Sequence, residues 1–418
     1  MDEIQLETSM NEIEAGISPE SKEKKRKEKK KGQTPHYDRG YRGELICILL
    51  SVGCISYKGI HMLGGDFSMY TKKLKHMREE GITVQVKLET RRAERLSNYS
   101  SNKEKYLPSL HEKYPEYYEA YAKDNEYNIA KWKNKNSKEQ GKAERAYRES
   151  EIFMLMDGAG TALFPGEKPD LNDPDTILSP HTPYYYPISE IKTATGYKVK
   201  KGEKKGQKNA TINTRAIGCL ISPGGNYIIY HSGQHPLKWE RSVEGQISQC
   251  AAKIITTKLP DNQPIVTIQS CMIGVKDLSV VMSICQDNKQ RRTVLSLNCG
   301  YNEMYVIPLN EIGRDFVNIM SRKDWKKQLL NEYLGEKQNN AYKSTVACDG
   351  VEGEKKYLLH CIPNIIRLQK FINFAEWMGE YEKFEIICFD FQKLYICEMA
   401  GKIPITAVSF TDYCTKYL

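Results

Sequence analysis

No Cys-x-x-Cys pair occurs among the 12 cysteines of this 418-residue sequence. The closest two, Cys47 and Cys54, are too far apart for a zinc knuckle. Cys219, Cys388 and Cys397 lie in apolar runs and read as small core residues. Scattered thiols of this kind fit a reducing, cytoplasmic setting. The first residues are acidic and polar, which predicts no secretory leader. The longest apolar stretch, Leu45 to Ile55, is far short of the about 20 residues that a membrane helix needs. No membrane partner is therefore expected. No His-x-His occurs among the 8 histidines, which excludes a histidine-bound metal of the rolling-circle type despite 27 tyrosines. No GxxxxGKS or GxxxxGKT is present, so ATP-driven action is excluded as well.

What is present is positive charge and a largely globular composition. The chain is 40% hydrophobic and 28% charged, with a net charge of +9, which favours a polyanionic partner. Residues 1–35 read as a disordered tail, an acidic block (Glu12, Glu14, Glu20) before a basic one (Lys22 to Lys31). Residues 36–98 form the first compact unit. Tyr41 to Gly53 carries Leu45, Ile48, Leu49 and Val52 at helical spacing. Ser56 to Leu63 reads as a second short helix. Asp66 caps a third that runs to Glu80 and stops at Gly81. Two strands, Ile82 to Lys87 and Arg92 to Ser97, follow as a hairpin. Residues 99–183 read as a helical linker (Glu116 to Lys133, Ser137 to Met156), docked only at its apolar end Ile152 to Met156, and then a Pro, Gly and Asp-rich loop.

Residues 184–418 read as a mixed α/β domain. Its strand candidates are Tyr184 to Lys192, Arg215 to Ser222, Tyr227 to His231, Ile265 to Gln269, Thr293 to Leu297, Met304 to Pro308, Phe384 to Phe391 and Leu394 to Met399. Its helix candidates are Ser242 to Thr257, Asp277 to Asn288 and Arg322 to Leu334. Lys198 to Lys208 is a basic loop. The expected class is α+β.

Three helices followed by a hairpin is the order of a winged helix-turn-helix, and its third helix is basic. If Tyr70, Leu74 and Met77 face the core, then Ser68, Met69, Lys72, Lys73, Lys75 and His76 lie on the open side. Such a helix fits the major groove of double-stranded DNA. Ser68 and Met69 approach base edges, the lysines suit phosphates, and the hairpin adds Lys87, Arg91, Arg92 and Arg95. The alternative is a protein-binding winged helix whose lysines form a solvated face.

The residues Gly53-Cys54-Ile55-Ser56-Tyr57-Lys58-Gly59, then Gly64-Gly65 and Tyr70 to Gly81, resemble the winged helix of replication-relaxation family proteins, which plasmids and integrative elements of Gram-positive bacteria carry. The resemblance continues at Ser150 to Lys168 and at Arg215 to Glu240, which ends in Leu237-Lys238-Trp239-Glu240. It implies a role in replication, relaxation or copy-number control of a mobile element, and a carboxy-terminal half similar to a restriction-endonuclease-like fold.

A nuclease of that fold needs two or three carboxylates to hold Mg2+ and a lysine to activate water, at the end of a strand hairpin. After the strand Arg215 to Ser222 the chain has Pro223-Gly224 where an active enzyme would place Pro-Asp. Glu240 and Glu244 follow, without that first ligand. By pattern alone Asp175, Glu190 and Lys192 match the nuclease spacing; Asp390 and Lys393 are a weaker set. His231 and His235 read as surface residues of a strand-turn. The tyrosine runs Tyr114 to Tyr127 and Tyr184-Tyr185-Tyr186 could stack on bases but more often pack a sheet or helix face.

The leading expectation is a non-catalytic DNA-binding accessory or initiator protein, without a cofactor, working with replication proteins or as a homodimer. A metal-dependent nuclease or nickase, which would use Mg2+, is the alternative, and a winged-helix transcriptional regulator the second alternative.

Overall fold

A computed structural model describes residues 40–88, 91–96, 112, 115, 137–194, 214–233, 237–259, 266–285, 294–338 and 348–418. The charged tail, the helix expected at Glu116 to Lys133, the basic loop Lys198 to Lys208, and His235 lie outside the described residues.

Helix α1 (Gly40–Val52) buries six consecutive residues, Leu45 to Leu50, more than one amphipathic stripe allows. It is covered on two sides, by α2 (Phe67–Glu79) and by α3 (Ser137–Gly158). Gly53 ends it at a positive φ of 83°. The expected second helix is shorter than predicted: strand β1 (Ile55–Ser56), then one 3-10 turn, Gly59–Met62. Asp66 caps α2 by accepting the Ser68 N–H at 2.7 Å, and Tyr70, Leu74 and Met77 are its buried residues, as their spacing predicts. Strands β2 (Thr83–Leu88) and β3 (Arg91–Leu96) form the antiparallel hairpin, and β1 joins it in the order β1-β3-β2.

The α3 segment differs from an exposed linker. Tyr147, Ser150 and Glu151 to Met156 are all buried. One side of the helix meets α1 and the 3-10 turn, and another meets β6 (Gly225–Gly233) of a larger sheet. A single hydrophobic core therefore contains Leu49 and Leu74 together with Phe153, Met272 and Phe316. The described residues from 40 to 418 accordingly cluster as one compact unit. At the end of α3, Gly158 lets the turn's backbone pass, since a Cβ there would stand 1.8 Å from the Met62 carbonyl oxygen. Gly158→Ala is expected to destabilise by about 1–3 kcal/mol through overpacking. An unchanged urea midpoint would show that this contact yields freely.

The larger sheet has the order β4-β5-β6-β7-β8: β4 (Tyr184–Pro187), β5 (Gly218–Ser222), β6, β7 (Ser270–Val275) and β8 (Glu303–Pro308). The first three strands run antiparallel, and β6, β7 and β8 run parallel. Parallel strands need crossovers, and α5 (Arg241–Lys258) joins β6 to β7. The expected strand Tyr184 to Lys192 stops at Pro187, and Ile188–Ala194 is helix α4. Proline has no N–H for a ladder but suits the start of a helix. The strand expected at Ile265 to Gln269 lies later, at β7, and Thr293 to Leu297 contributes only an isolated bridge at Val294.

Helices α6 (Val280–Cys285), α7 (Glu311–Met320) and α8 (Trp325–Tyr333) lead to a second sheet. It contains β9 (Gly350–Glu352), β10 (Lys355–Leu359), β11 (Phe384–Phe389) and β12 (Ile405–Val408), in the order β12-β11-β10-β9. Helices α9 (Ile365–Met378) and α10 (Lys393–Ala400) are its crossovers, and α11 (Phe410–Tyr417) ends the chain. The strand expected at Leu394 to Met399 is instead part of α10, because β12 runs parallel to β11 and cannot follow by a hairpin. The architecture is mixed α+β. All twelve cysteines are free thiols; Cys219 and Cys388 are buried, while Cys397 faces outward on α10. No helix among the described residues is long and apolar enough to cross a membrane.

Candidate nucleic-acid interface

The outward face of α2 is built by default from what its core face leaves over. With Tyr70, Leu74 and Met77 inside, Ser68, Lys72, Lys75 and His76 are exposed, and Met69 and Lys73 are half-buried. Glu79 stands 3.9 Å from Lys75 and 3.5 Å from His76, which places one carboxylate at the helix's carboxy-terminal end. Among the described residues neither Lys72 nor Lys73 forms an ion pair.

The helix is fixed to the hairpin through Glu94, a fully buried carboxylate on β3. Arg78 of α2 donates to both Glu94 oxygens, at 3.0 and 3.1 Å. Tyr57 donates to it at 2.7 Å and Thr83 at 2.9 Å. Charge-assisted bonds from three elements converge on one acceptor, so helix and hairpin hold one relative orientation.

The four basic hairpin residues divide into two pairs. Lys87 and Arg92 are exposed and directly opposite across β2–β3. Arg91 turns inward, against the expectation: it is bonded to Glu144 of α3, and its guanidinium lies 4.9 Å from the Tyr147 ring centre. Arg95 is half-buried, its guanidinium pKa pushed down by burial, and it donates to the Leu96 carbonyl. Arg91 therefore holds the hairpin to α3.

The acidic candidates do not assemble into a nuclease centre. Asp175 is in an exposed turn, its N–H bonded to Asp173. Glu190 and Lys192, two apart on a helix rather than on a strand, point to different sides. Glu190 accepts from the buried Lys168 at 2.9 Å. Lys192 is pushed down to about 8 by burial and by the Arg145 charge. Glu240 is the exposed N-cap position of α5. Glu244 is buried and saturated, accepting from Thr214, the Arg215 N–H and Tyr230. At Gly224 a Cβ would stand 1.9 Å from the Met320 carbonyl oxygen, so an aspartate has no room there. Asp390 accepts the Phe391 N–H and acts as a local cap. Among the described residues no three His, Cys, Asp or Glu side chains are grouped as a metal would require. Tyr184, Tyr185 and Tyr186 are buried and cannot stack on bases.

Sequence reasoning missed a polar cluster at the open end of the β5–β6 hairpin. Glu151 of α3 is buried and accepts from Ser56 at 3.0 Å; it meets His231 at 2.7 Å and Lys276 at 2.8 Å. His231, expected at the surface, is 1% exposed. Burial alone would raise the Glu151 carboxyl, but the His231 hydrogen bond and the Lys276 ammonium hold it well below the usual carboxylate range. Burial pushes His231 down too, which keeps its ring neutral, so Lys276 supplies the lasting countercharge. The Lys276 ammonium also sits 4.7 Å from the Tyr147 ring centre. The only signal in the sequence was a glutamate inside an apolar helical run, Glu151 before Ile152. No family model, curated protein or solved structure matches the chain.

Proposed function

We propose that the chain is a non-catalytic reader of double-stranded DNA. Its 40–96 segment acts as a winged helix whose α2 enters the major groove. The observation that carries this reading is the outward face of α2, where Lys72 and Lys73 form no ion pair among the described residues and stand beside the exposed Ser68. Lys72, Lys73, Lys75, Lys87 and Arg92 are the phosphate contacts, and Ser68, Met69 and His76 are nearest the bases. Arg91 and Arg95 are removed from the contact set because they face the protein. The lack of room at Gly224 and the dispersal of Asp175, Glu190, Lys192 and Glu240 support a carboxy-terminal half that binds or recruits rather than cuts. The order β4-α4-β5-β6-α5-β7 is compatible with a degenerate restriction-endonuclease-like sheet. Within that reading, the resemblance to replication-relaxation proteins favours an accessory or initiator role on a mobile element.

The test is equilibrium binding of the full chain to labelled duplex DNA across a salt series. Five phosphate contacts give log K against log salt a slope of about −4.5. Lys72→Ala with Lys73→Ala should flatten the slope by about 2 and weaken binding roughly 10- to 100-fold at moderate salt. Unaltered affinity and slope in that double variant would remove α2 from the interface.

A further inference from the structure

A β-strand at a sheet edge leaves alternate N–H and C=O groups without a ladder partner, and proteins ordinarily cover or charge such edges. Three of the four edges of the two larger sheets are covered by the chain itself. At β4, Ala162 donates to Pro183 O at 2.8 Å and accepts from the Tyr185 N–H at 3.0 Å. At β8, Tyr305 bridges Asn364, and the Val306 N–H reaches Pro363 O. At β9, Gln338 bridges Gly350, and Lys337 pairs with Glu352 at 2.8 Å. The fourth edge is β12, where no bridge or hydrogen bond covers the outer side among the described residues.

The register shows which groups are left. Ile386 is opposite Ile405, and its N–H donates to Pro404 O at 3.0 Å. In a parallel ladder a residue bonds to the two neighbours of its partner. Residues Pro404, Thr406 and Val408 therefore direct their backbone groups toward β11, while Ile405 and Ala407 direct theirs outward. Thr406 and Ala407 are exposed, and none of Ile405, Thr406, Ala407 and Val408 is charged.

We propose that β12 pairs with β12 of a second copy of this chain about a two-fold axis through Thr406. Two-fold pairing sets every strand residue against its own kind or a near neighbour, so a charge would meet a like charge; the uncharged strand has no such penalty. In this register Ile405 of one copy and Ala407 of the other exchange N–H···O bonds, twice, for four bonds in all. Thr406 faces Thr406 as the non-hydrogen-bonded pair. The two four-stranded sheets become one of eight strands, and both exposed edges disappear together. This is independent of the DNA reading: either stands if the other falls.

The experiment is sedimentation of the full chain over a concentration series, with two variants. Ala407→Pro deletes an outward donor and leaves the β11 ladder untouched. It removes two of the four bonds and should raise the dimer Kd roughly 30-fold. Thr406→Cys, in a Cys397→Ser background, places two thiols across the axis on Cα atoms about 4.5 Å apart, within disulfide range. Mild oxidation should then give a covalent dimer, and the Cys397→Ser parent should not. A wild-type chain that stays monomeric up to near-millimolar concentration overturns the proposal. A dimer that is indifferent to Ala407→Pro, and that forms no cross-link in the Thr406→Cys variant, overturns it equally.

Discussion

Glu151→Ala should cost about 3–5 kcal/mol of folding stability, the range for removing one partner of a buried ion pair. Three donors converge on this carboxylate, from β1 (Ser56), β6 (His231) and the residue after β7 (Lys276). Deleting it leaves an ammonium whose side chain is 15% exposed without its counter-ion, and a buried imidazole without its partner. Glu151→Gln keeps the shape and one acceptor, so it should lose less. Urea unfolding of both variants checks this, and a loss under about 1 kcal/mol in Glu151→Ala would mean that the cluster is effectively solvated. A double-mutant cycle with His231→Ala should show coupling of the order of 1–3 kcal/mol, since the two side chains are in contact.

Acid should weaken the fold from about pH 6.5 downward, well above the range of ordinary carboxylates. His360, buried beside Tyr395 at 2.7 Å, is pushed down to about 3 by burial and then by the Arg367 charge. His231 is shifted in the same direction. Below about pH 6.5 the unfolded chain binds protons that these two rings refuse in the fold, so stability falls with pH. At about 1.4 kcal/mol per pH unit for each histidine, His360 alone removes roughly 2–3 kcal/mol between about pH 6.5 and 4.5. Glu151, held well below the usual carboxylate range, acts lower: its contribution is complete above the unfolded carboxyl value and is lost below about pH 4.5. Unfolding free energies at about pH 7.5, 6 and 5 measure the slope. His360→Gln, which keeps a polar group in reach of Tyr395, should flatten it. Equal stability at the two ends of that range would contradict neutral burial of both rings.

The parts of the fold that could be read from the sequence are those fixed by local periodicity. Tyr70, Leu74 and Met77 recur at helical spacing and are buried, and Asp66 caps their helix as a short acceptor before a helical run should. The α4 and α10 segments read as strands because their apolar, β-favouring residues are compatible with either state, and crossover connectivity decides. The α3 helix looks like a linker in the sequence because its charged amino-terminal half hides an apolar end that needs partners from both sides. Arg91 and Arg95 carry the same charge as Arg92 and cannot be told from it by sequence. For Arg91 the direction depends on Glu144 and Tyr147, about fifty residues along the chain. The Glu151 cluster is invisible for the same reason, since its partners are at positions 56, 231 and 276.

The single core beneath α2 has a mechanical corollary. With Leu49 and Leu74 in the same apolar cluster as Phe153 and Phe316, the 40–96 segment packs into the body of the protein among the described residues. A truncated piece ending at Leu96 would present bare hydrocarbon to water and should precipitate, and calorimetry of the intact chain should give one endotherm. A duplex seated on α2 would then have its path across the protein's flank dictated in advance.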